Sequence, residues 1–260
     1  MIDHDNLADY ADPYLYDVEN PDEEPVGSFL LPLAQQADGP LLELGCGTGR
    51  YTLYLTRLGF TVTGLDIVPG MLARARQKAD DLPVTWVEAD VRSFQLGEKF
   101  AFIFETGAVF EHLLTRPDQE SFLARVREHL AEDGRFLLTA LFTKPPYMAS
   151  SDDEEAWFEY DAGDGRYVQV SGINRYDALN QIRHETAHRR WQNADGEMVT
   201  RVAPLALRSY FPQELENLLH YNGFTVEARY GNWDGTPLTE ASPMLLYLCA
   251  RRPNQEPNNG

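Results

Sequence analysis

The chain has 260 residues, of which 43% are hydrophobic and 12% aromatic, so it can bury a sizeable core and is expected to be globular. Its formal net charge of −19 disfavours DNA and RNA as partners, because nucleic-acid binding needs clustered basic side chains. The sequence contains no apolar run long enough to cross a bilayer and no secretory-signal pattern, so we expect a cytoplasmic protein without membrane contact.

From about residue 26 onwards, strand-like apolar runs alternate with helical patterns, which predicts an α/β fold with a mostly parallel, Rossmann-like sheet. The predicted strands are 40–44, 61–66, 84–89, 100–105 and 135–142, and the predicted helices are 48–58, 69–80 and 117–132. The "EDG" stretch at 132–134 indicates the end of the last of these helices. Residues 1–25 are strongly acidic and lack helix signals, so we expect an N-terminal arm or lid.

The pattern changes after the fifth predicted strand. Residues 143–205 contain strand-like runs separated by the turn-prone "DALN" and "NADG", which predicts a small antiparallel β insertion, expected as a cap over a ligand site. Residues 206–252 return to α/β with a helix and two strands, and complete the core begun by residues 26–142. Residues 253–260 are typical of a disordered tail.

The stretch "LLELGCGTGR", residues 41–50, places Gly45, Gly47 and Gly49 directly behind the first predicted strand. A glycine-rich turn between a strand and a helix directs backbone N–H groups and the positive helix end at a ligand. The dinucleotide fingerprint has the form G-x-G-x-x-G, but Arg50 occupies the position of its third glycine. An NAD-dependent oxidoreductase is therefore the alternative enzyme class rather than the preferred one.

Two carboxylates follow at the next strand ends. Asp66 ends the second predicted strand, where it can accept hydrogen bonds from both ribose hydroxyls of a nucleoside. Asp90 and Val91 end the third, where they can hold an adenine. A single strand-end carboxylate is as often a helix cap, but successive ones at the carboxyl edge of a sheet indicate a ligand site.

These motifs, together with "TGLDIVPGMLARAR", "VEADVRSFQLGEKF" and "DGRFLL", resemble the successive motifs of class I S-adenosylmethionine-dependent methyltransferases over most of residues 26–142. The resemblance implies a sheet of about seven strands whose last strand is antiparallel, with S-adenosylmethionine as cofactor. The residues expected to bind the cofactor are Glu43, Gly45, Cys46, Gly47, Gly49, Asp66, Ile67, Met71, Asp90, Val91 and Glu105. For Glu43, organising the amides of the loop is an equally good role.

The N-terminal "YADPYLYD" and a histidine shortly after the fourth strand are similar to a branch of small-molecule N-methyltransferases, including enzymes for amino groups of nucleotide-linked sugars. This resemblance implies that Tyr16 covers the sulfonium and that His112 projects into the acceptor pocket, where it is the candidate proton acceptor. Alternatively, His112 bonds to backbone at a helix start, and Tyr16 packs the arm on the core.

The sequence thus predicts a methyltransferase for a small-molecule acceptor, at nitrogen in preference to oxygen, as a monomer or homodimer. A non-catalytic module that binds S-adenosylmethionine remains an alternative. His184 and His188 lack a third ligand, so we expect no metal site. Four arginines of the insertion could bind an anionic acceptor, but the preferred interpretation is that their charges are solvated on the sheet surface. These residues are Arg175, Arg183, Arg189 and Arg201.

Overall fold

The computed structural model describes residues 4–21 and 24–252, so the predicted tail at 253–260 lies outside the described part of the chain. Within the described residues the α-helices are α1 (Pro13–Glu19), α2 (Val26–Gln36), α3 (Arg50–Arg57), α4 (Pro69–Ala79), α5 (Arg116–His129) and α6 (Pro212–Tyr221). The strands are β1 (Leu41–Leu44), β2 (Val62–Asp66), β3 (Thr85–Glu88), β4 (Phe100–Phe104), β5 (Leu130–Leu141), β6 (Glu155–Asp161), β7 (Tyr167–Asp177), β8 (Ile182–Gln192), β9 (Met198–Arg208), β10 (Phe224–Tyr230) and β11 (Met244–Arg251). Short 3₁₀ helices span His4–Tyr10, Val109–His112 and Pro145–Met148.

The chain divides into two compact units. The first, called the core unit below, comprises Asp22–Phe110, Thr115–Phe142 and Tyr210–Gly260. The second, called the insertion unit, comprises Met1–Pro21, Glu111–Leu114 and Thr143–Ser209. The insertion unit is therefore assembled from separate stretches of sequence.

The described part of the core unit contains a seven-stranded sheet in the order β10-β11-β5-β4-β1-β2-β3. Strand β1 pairs in parallel with both β2 and β4, whereas β11 is antiparallel to β5 and β10, as the sequence predicts. All four residues of β1 are buried, as expected for a central parallel strand covered on both faces. The chain runs outwards in opposite directions from β1 and β4, so their carboxyl ends form the topological switch point at which open α/β sheets bind ligands.

The boundary between α5 and β5 differs from the prediction. Helix α5 ends at His129, and β5 already begins at Leu130, which pairs with Phe100 of β4. A Cβ on Gly134 would lie 3.0 Å from the carbonyl oxygen of Phe100. Gly134 therefore allows a close approach of two strands, and its interpretation as a helix stop was wrong.

The insertion unit contains a four-stranded antiparallel sheet in the order β6-β7-β8-β9, and β9 extends to Arg208 rather than to residue 205. The interpretation that residues 1–25 lack helix signals was wrong. Helix α1 begins at Pro13, and the Asp12 carboxylate accepts the N–H of Leu15 at 3.1 Å. Asp-Pro is a helix-start signal, since Asp caps the first turn and Pro is favoured at its first position.

Candidate active site

The loop after β1 owes its path to glycine. Gly45, Gly47 and Gly49 have φ values of 67°, 55° and 80°, in the left-handed region that glycine adopts without steric cost. A Cβ on Gly45 would lie 2.3 Å from Cγ2 of Val109, and one on Gly49 would lie 2.6 Å from the Trp86 ring. The sequence attributes these glycines to the approach of a ligand, but two of them are also required by the packing of the protein's own side chains. Helix α3 begins immediately after the loop.

Asp66, at the end of β2, connects this loop to the start of α4. Its Oδ2 accepts the N–H of Gly47 and its Oδ1 accepts the N–H of Val68, each at 2.8 Å. Burial raises the pKa of Asp66, and these backbone hydrogen bonds oppose the rise. Because each carboxylate oxygen has two lone pairs, Asp66 can accept further hydrogen bonds, as a ribose diol would require.

Glu43 lies inside β1 and is 2% exposed. It accepts a hydrogen bond from the Thr52 hydroxyl of α3, and burial raises its pKa to about 7. This geometry supports the loop-organising role, because the bond ties the strand before the loop to the helix after it. Cys46, within the loop, is also buried, and burial raises the pKa of its thiol.

Asp90 follows β3, and its carboxylate is engaged by Arg92. The Arg92 guanidinium donates to Oδ1 at 3.0 Å through Nε and to Oδ2 at 2.6 Å through a terminal nitrogen. The other terminal nitrogen donates to Asp118 of α5 at 2.8 Å. Burial raises the pKa of Asp90, but the bonds from Arg92 outweigh it and the net shift is downward. Asp90 is thus an ion-paired carboxylate, and Arg92, which the sequence did not single out, fixes its orientation.

The remaining residues expected to bind the cofactor also lie in the core unit. Met71 is buried on α4, Val91 is 9% exposed after Asp90, and Ile67 is half-buried. Glu105 is fully buried, and its carboxylate accepts the backbone N–H groups of Val109 and Thr139. Because both carboxylate oxygens have backbone donors, Glu105 can be buried without a ligand, and its role in the fold is structural.

Tyr16 and His112 both belong to the insertion unit, where Tyr10 lies between them. The centroid of the Tyr10 ring is 5.7 Å from that of the His112 ring and 6.0 Å from that of the Tyr16 ring. The Tyr10 hydroxyl is 2.9 Å from Nε2 of His112, and the Asn6 amide nitrogen is 3.2 Å from its Nδ1. Burial lowers the pKa of His112 to about 4, so the ring is neutral at neutral pH. Tyr10 is the first residue of the "YADPYLYD" stretch, but the sequence assigned a role only to Tyr16 within it, and no sequence pattern marked Asn6.

Two of the arginines on the inserted strands are not solvated, which corrects the sequence interpretation. Arg189 is 7% exposed and donates to Glu19 at 2.7 Å and to Asp9 at 2.6 Å. Arg183 is 5% exposed and lies 3.9 Å from Glu111, also buried. Arg189 therefore ties both N-terminal helices to β8, whereas Arg183 pairs with Glu185 of its own strand and lies beside Glu111.

No group of three or more acidic, histidine or cysteine side chains with the spacing of a metal site occurs among residues 4–21 and 24–252. In the same stretches, every helix is too short or too polar to span a lipid bilayer.

Residues 41–134 match the family described as the methyltransferase domain. The chain is 36% identical over 105 residues to a malonyl-[acyl-carrier protein] O-methyltransferase of Anoxybacillus flavithermus, a match that covers 38% of each protein. It is 31% identical over 94 residues to a dTDP-3-amino-3,4,6-trideoxy-alpha-D-glucopyranose N,N-dimethyltransferase of Streptomyces venezuelae, covering 36% of this chain and 39% of that one. The chain thus matches about two fifths of the length of these curated relatives.

Similarity to solved structures extends further along the chain. The CcbJ methyltransferase of Streptomyces caelestis is 25% identical with a TM-score of 0.73, and the alignment covers 87% of this chain and 88% of that one. An S-adenosylmethionine-dependent methyltransferase of Clostridium acetobutylicum has a TM-score of 0.77 at 17% identity over 92% of this chain and 97% of that one, which shows a common fold.

Proposed function

Because residues 41–134 form a methyltransferase domain, we propose that the chain transfers the methyl group of S-adenosylmethionine to a small-molecule acceptor, at nitrogen in preference to oxygen. The observation that carries this proposal is the pairing of Asp66 with the loop amide of Gly47 at the carboxyl end of β2. This hydrogen bond joins the glycine loop to Asp66, whose carboxylate is suited to binding a ribose diol. Both lie next to the switch point between β1 and β4.

The residues fit the cofactor chemically. The amides of the loop and the start of α3 would face its polar end, Asp66 would hold the ribose, and the apolar Met71 and Val91 would flank the adenine. When bound, S-adenosylmethionine supplies a methyl group that its sulfonium has already activated. The protein is then left with positioning the acceptor and excluding water, which do not require a charged catalytic residue.

Two observations support nitrogen as the methylated atom. Both ring nitrogens of His112 already have hydrogen-bonding partners in the insertion unit, Asn6 and Tyr10. A hydroxyl acceptor needs a base to take its proton, whereas a neutral amine attacks with its own lone pair. Similarity to an amino-sugar N,N-dimethyltransferase favours the same atom, although another relative is an O-methyltransferase.

The proposed function includes no nucleic-acid or membrane partner. The net charge of −19 opposes polyanionic partners such as nucleic acids. Cys46 and Cys249 are both buried free thiols, which fits a reducing compartment such as the cytoplasm. The protein would act as a monomer or a homodimer.

Calorimetry with S-adenosylhomocysteine and with NADH tests the cofactor. We expect S-adenosylhomocysteine to bind and to raise the melting temperature, and NADH to do neither. Asp66→Asn should weaken binding of S-adenosylhomocysteine by about tenfold or more, because charge-assisted hydrogen bonds are lost. Asp234→Asn is the matched control, since Asp234 also accepts an N–H two residues ahead, from Thr236 at 2.9 Å, but in an exposed turn. Tight NADH binding without a response to S-adenosylhomocysteine would refute the assignment.

Labelled-methyl transfer tests the acceptor. The protein is incubated with methyl-labelled S-adenosylmethionine and a panel of nucleotide-linked amino sugars, simple amines and their hydroxyl counterparts. We expect label in amines and not in the matched hydroxyl compounds. Label only in the hydroxyl compounds would overturn the preference for nitrogen, and label in none of a broad metabolite extract would favour a non-catalytic binding module.

A further inference from the structure

Asn6 connects the N-terminal 3₁₀ helix to strand β9. It is 3% exposed, its Oδ1 accepts the N–H of Ala206 at 2.7 Å, and its Nδ2 donates to the carbonyl of Ala206 at 2.8 Å. This pair of bonds to one residue determines which end of the side-chain amide is oxygen and which is nitrogen.

The second hydrogen of the same amide nitrogen determines the tautomer of His112. Nδ2 of Asn6 lies 3.2 Å from Nδ1 of His112, and an amide nitrogen donates but does not accept. Nδ1 must therefore be the acceptor and carries no proton. A neutral imidazole then carries its proton on Nε2, which lies 2.9 Å from the Tyr10 hydroxyl oxygen, so His112 donates to Tyr10.

We infer that Asn6 is a positioning residue of the acceptor site: it fixes the Nε2–H tautomer of His112, which makes the ring a hydrogen-bond donor that orients Tyr10 instead of a base for the acceptor. The positioning role rests on the proposed function, whereas the tautomer does not. Protonation of His112 would place an N–H against the N–H of Asn6, and its pKa is lowered to about 4 by burial, in the same direction. In this arrangement His112 orients the Tyr10 hydroxyl and does not act as the proton acceptor expected from the sequence.

Nitrogen NMR of histidine-labelled protein without cofactor or acceptor tests the tautomer. His112→Asn identifies the His112 signals among the six histidines. At neutral pH we expect Nδ1 to be unprotonated and Nε2 protonated. Asn6→Asp replaces the donor by a carboxylate that accepts, so Nδ1 of His112 should gain a proton. Tyr10→Phe should leave the tautomer unchanged, and so should the matched control Asn193→Asp, because Asn193 lies in the exposed turn between β8 and β9.

A proton on Nδ1 of the unaltered protein would overturn the inference, and so would an unchanged tautomer in Asn6→Asp. The positioning role is read from kinetics with an acceptor found by labelled-methyl transfer. Asn6→Asp should lower kcat by about tenfold, the effect of one net hydrogen bond, with KM for S-adenosylmethionine unchanged. An unchanged kcat would overturn the positioning role. A complete absence of transfer by the unaltered protein would refute the proposed function instead, while the spectra would still decide the tautomer.

Discussion

Glu43 and His112 are buried ionisable side chains whose effects on stability oppose each other across overlapping pH ranges. The pKa of Glu43 is raised from 4.5 to about 7, so its contribution to stability is complete at low pH and is lost as the pH rises. The pKa of His112 is lowered from 6.5 to about 4, so its contribution is complete above 6.5 and is lost as the pH falls. The free energy of unfolding of the unaltered protein could therefore change little with pH, because the two opposite dependences cancel.

Glu43→Gln should reveal one of these slopes. The amide still accepts the Thr52 hydroxyl but does not ionise, so the free energy of unfolding of the unaltered protein, relative to the variant, should fall by about 3 kcal/mol between pH 4.5 and 7. Urea unfolding of both proteins across this range measures the difference. Glu98→Gln, at an exposed position, is the control and should show no such trend. A constant difference between the unaltered protein and Glu43→Gln would show that burial does not raise the pKa of Glu43.

Individual site residues differ in how far the sequence predicts them. Gly45 and Asp66 follow from a motif whose spacing reflects one strand-loop-helix unit, and the structure joins them through the same loop. Arg92 and Asn6 could not be predicted, because each acts through a partner brought near by folding: Asp118 and Ala206 are 26 and 200 residues away. Spacing along the chain carries no signal for such contacts.

At the scale of elements, the strands of the core were predictable because each is a short apolar run bounded by turn residues. Helix α2 was not predicted, although Leu30 and Ala34 are fully buried at helical spacing. Strand β6 was also missed, since most of its residues are exposed and it lacks the apolar alternation of a half-buried strand. The exposed strand β6 thus carried no buried face for the sequence to reveal, whereas α2 carried one at helical spacing that was overlooked.

Helix α1 depends on a buried cation. Arg189 of β8 binds both Asp9 and Glu19, and removing one partner of a buried pair leaves an uncompensated charge. We expect Arg189→Met to lower the free energy of unfolding by about 3 kcal/mol. Urea unfolding with a probe in the insertion unit, such as fluorescence of Trp191, measures this loss.

Arg175→Met is the matched control. Arg175 pairs with Asp152 on the surface, where their side chains are 65% and 84% exposed, and exposed pairs contribute at most about 1 kcal/mol. The double variant Arg189→Met, Glu19→Gln should be less unstable than the sum of its single changes, because the second change removes one of the two carboxylates that Arg189→Met leaves without a cation. Equal effects of Arg189→Met and Arg175→Met would contradict the role of the buried pair.

At the scale of the whole molecule, 41 acidic residues face 22 Lys and Arg residues, so the folded chain repels itself. Raising NaCl from about 10 mM to about 200 mM shortens the range of this repulsion and should raise the melting temperature by a few degrees. KCl at equal ionic strength is the control and should act alike, since screening does not depend on the ion's identity. A melting temperature that is unaffected or lowered by salt would show that paired charges dominate over the net charge.

The insertion unit draws on three stretches of sequence, and side-chain hydrogen bonds join them: Asn6 to Ala206, Tyr10 to His112, and Arg189 to Glu19. A chimera that exchanged only residues 143–209 with a relative would keep Glu19 but could lose the Arg189 side chain that binds it, and Asn6 would keep its bonds only if the backbone at position 206 held the same place. Exchanging the insertion unit as a folded whole therefore requires the arm, the turn at 111–114 and the inserted strands to be exchanged together. The same dependence means that a substitution in one stretch, such as at Glu19, changes the setting of a side chain in another, here Arg189.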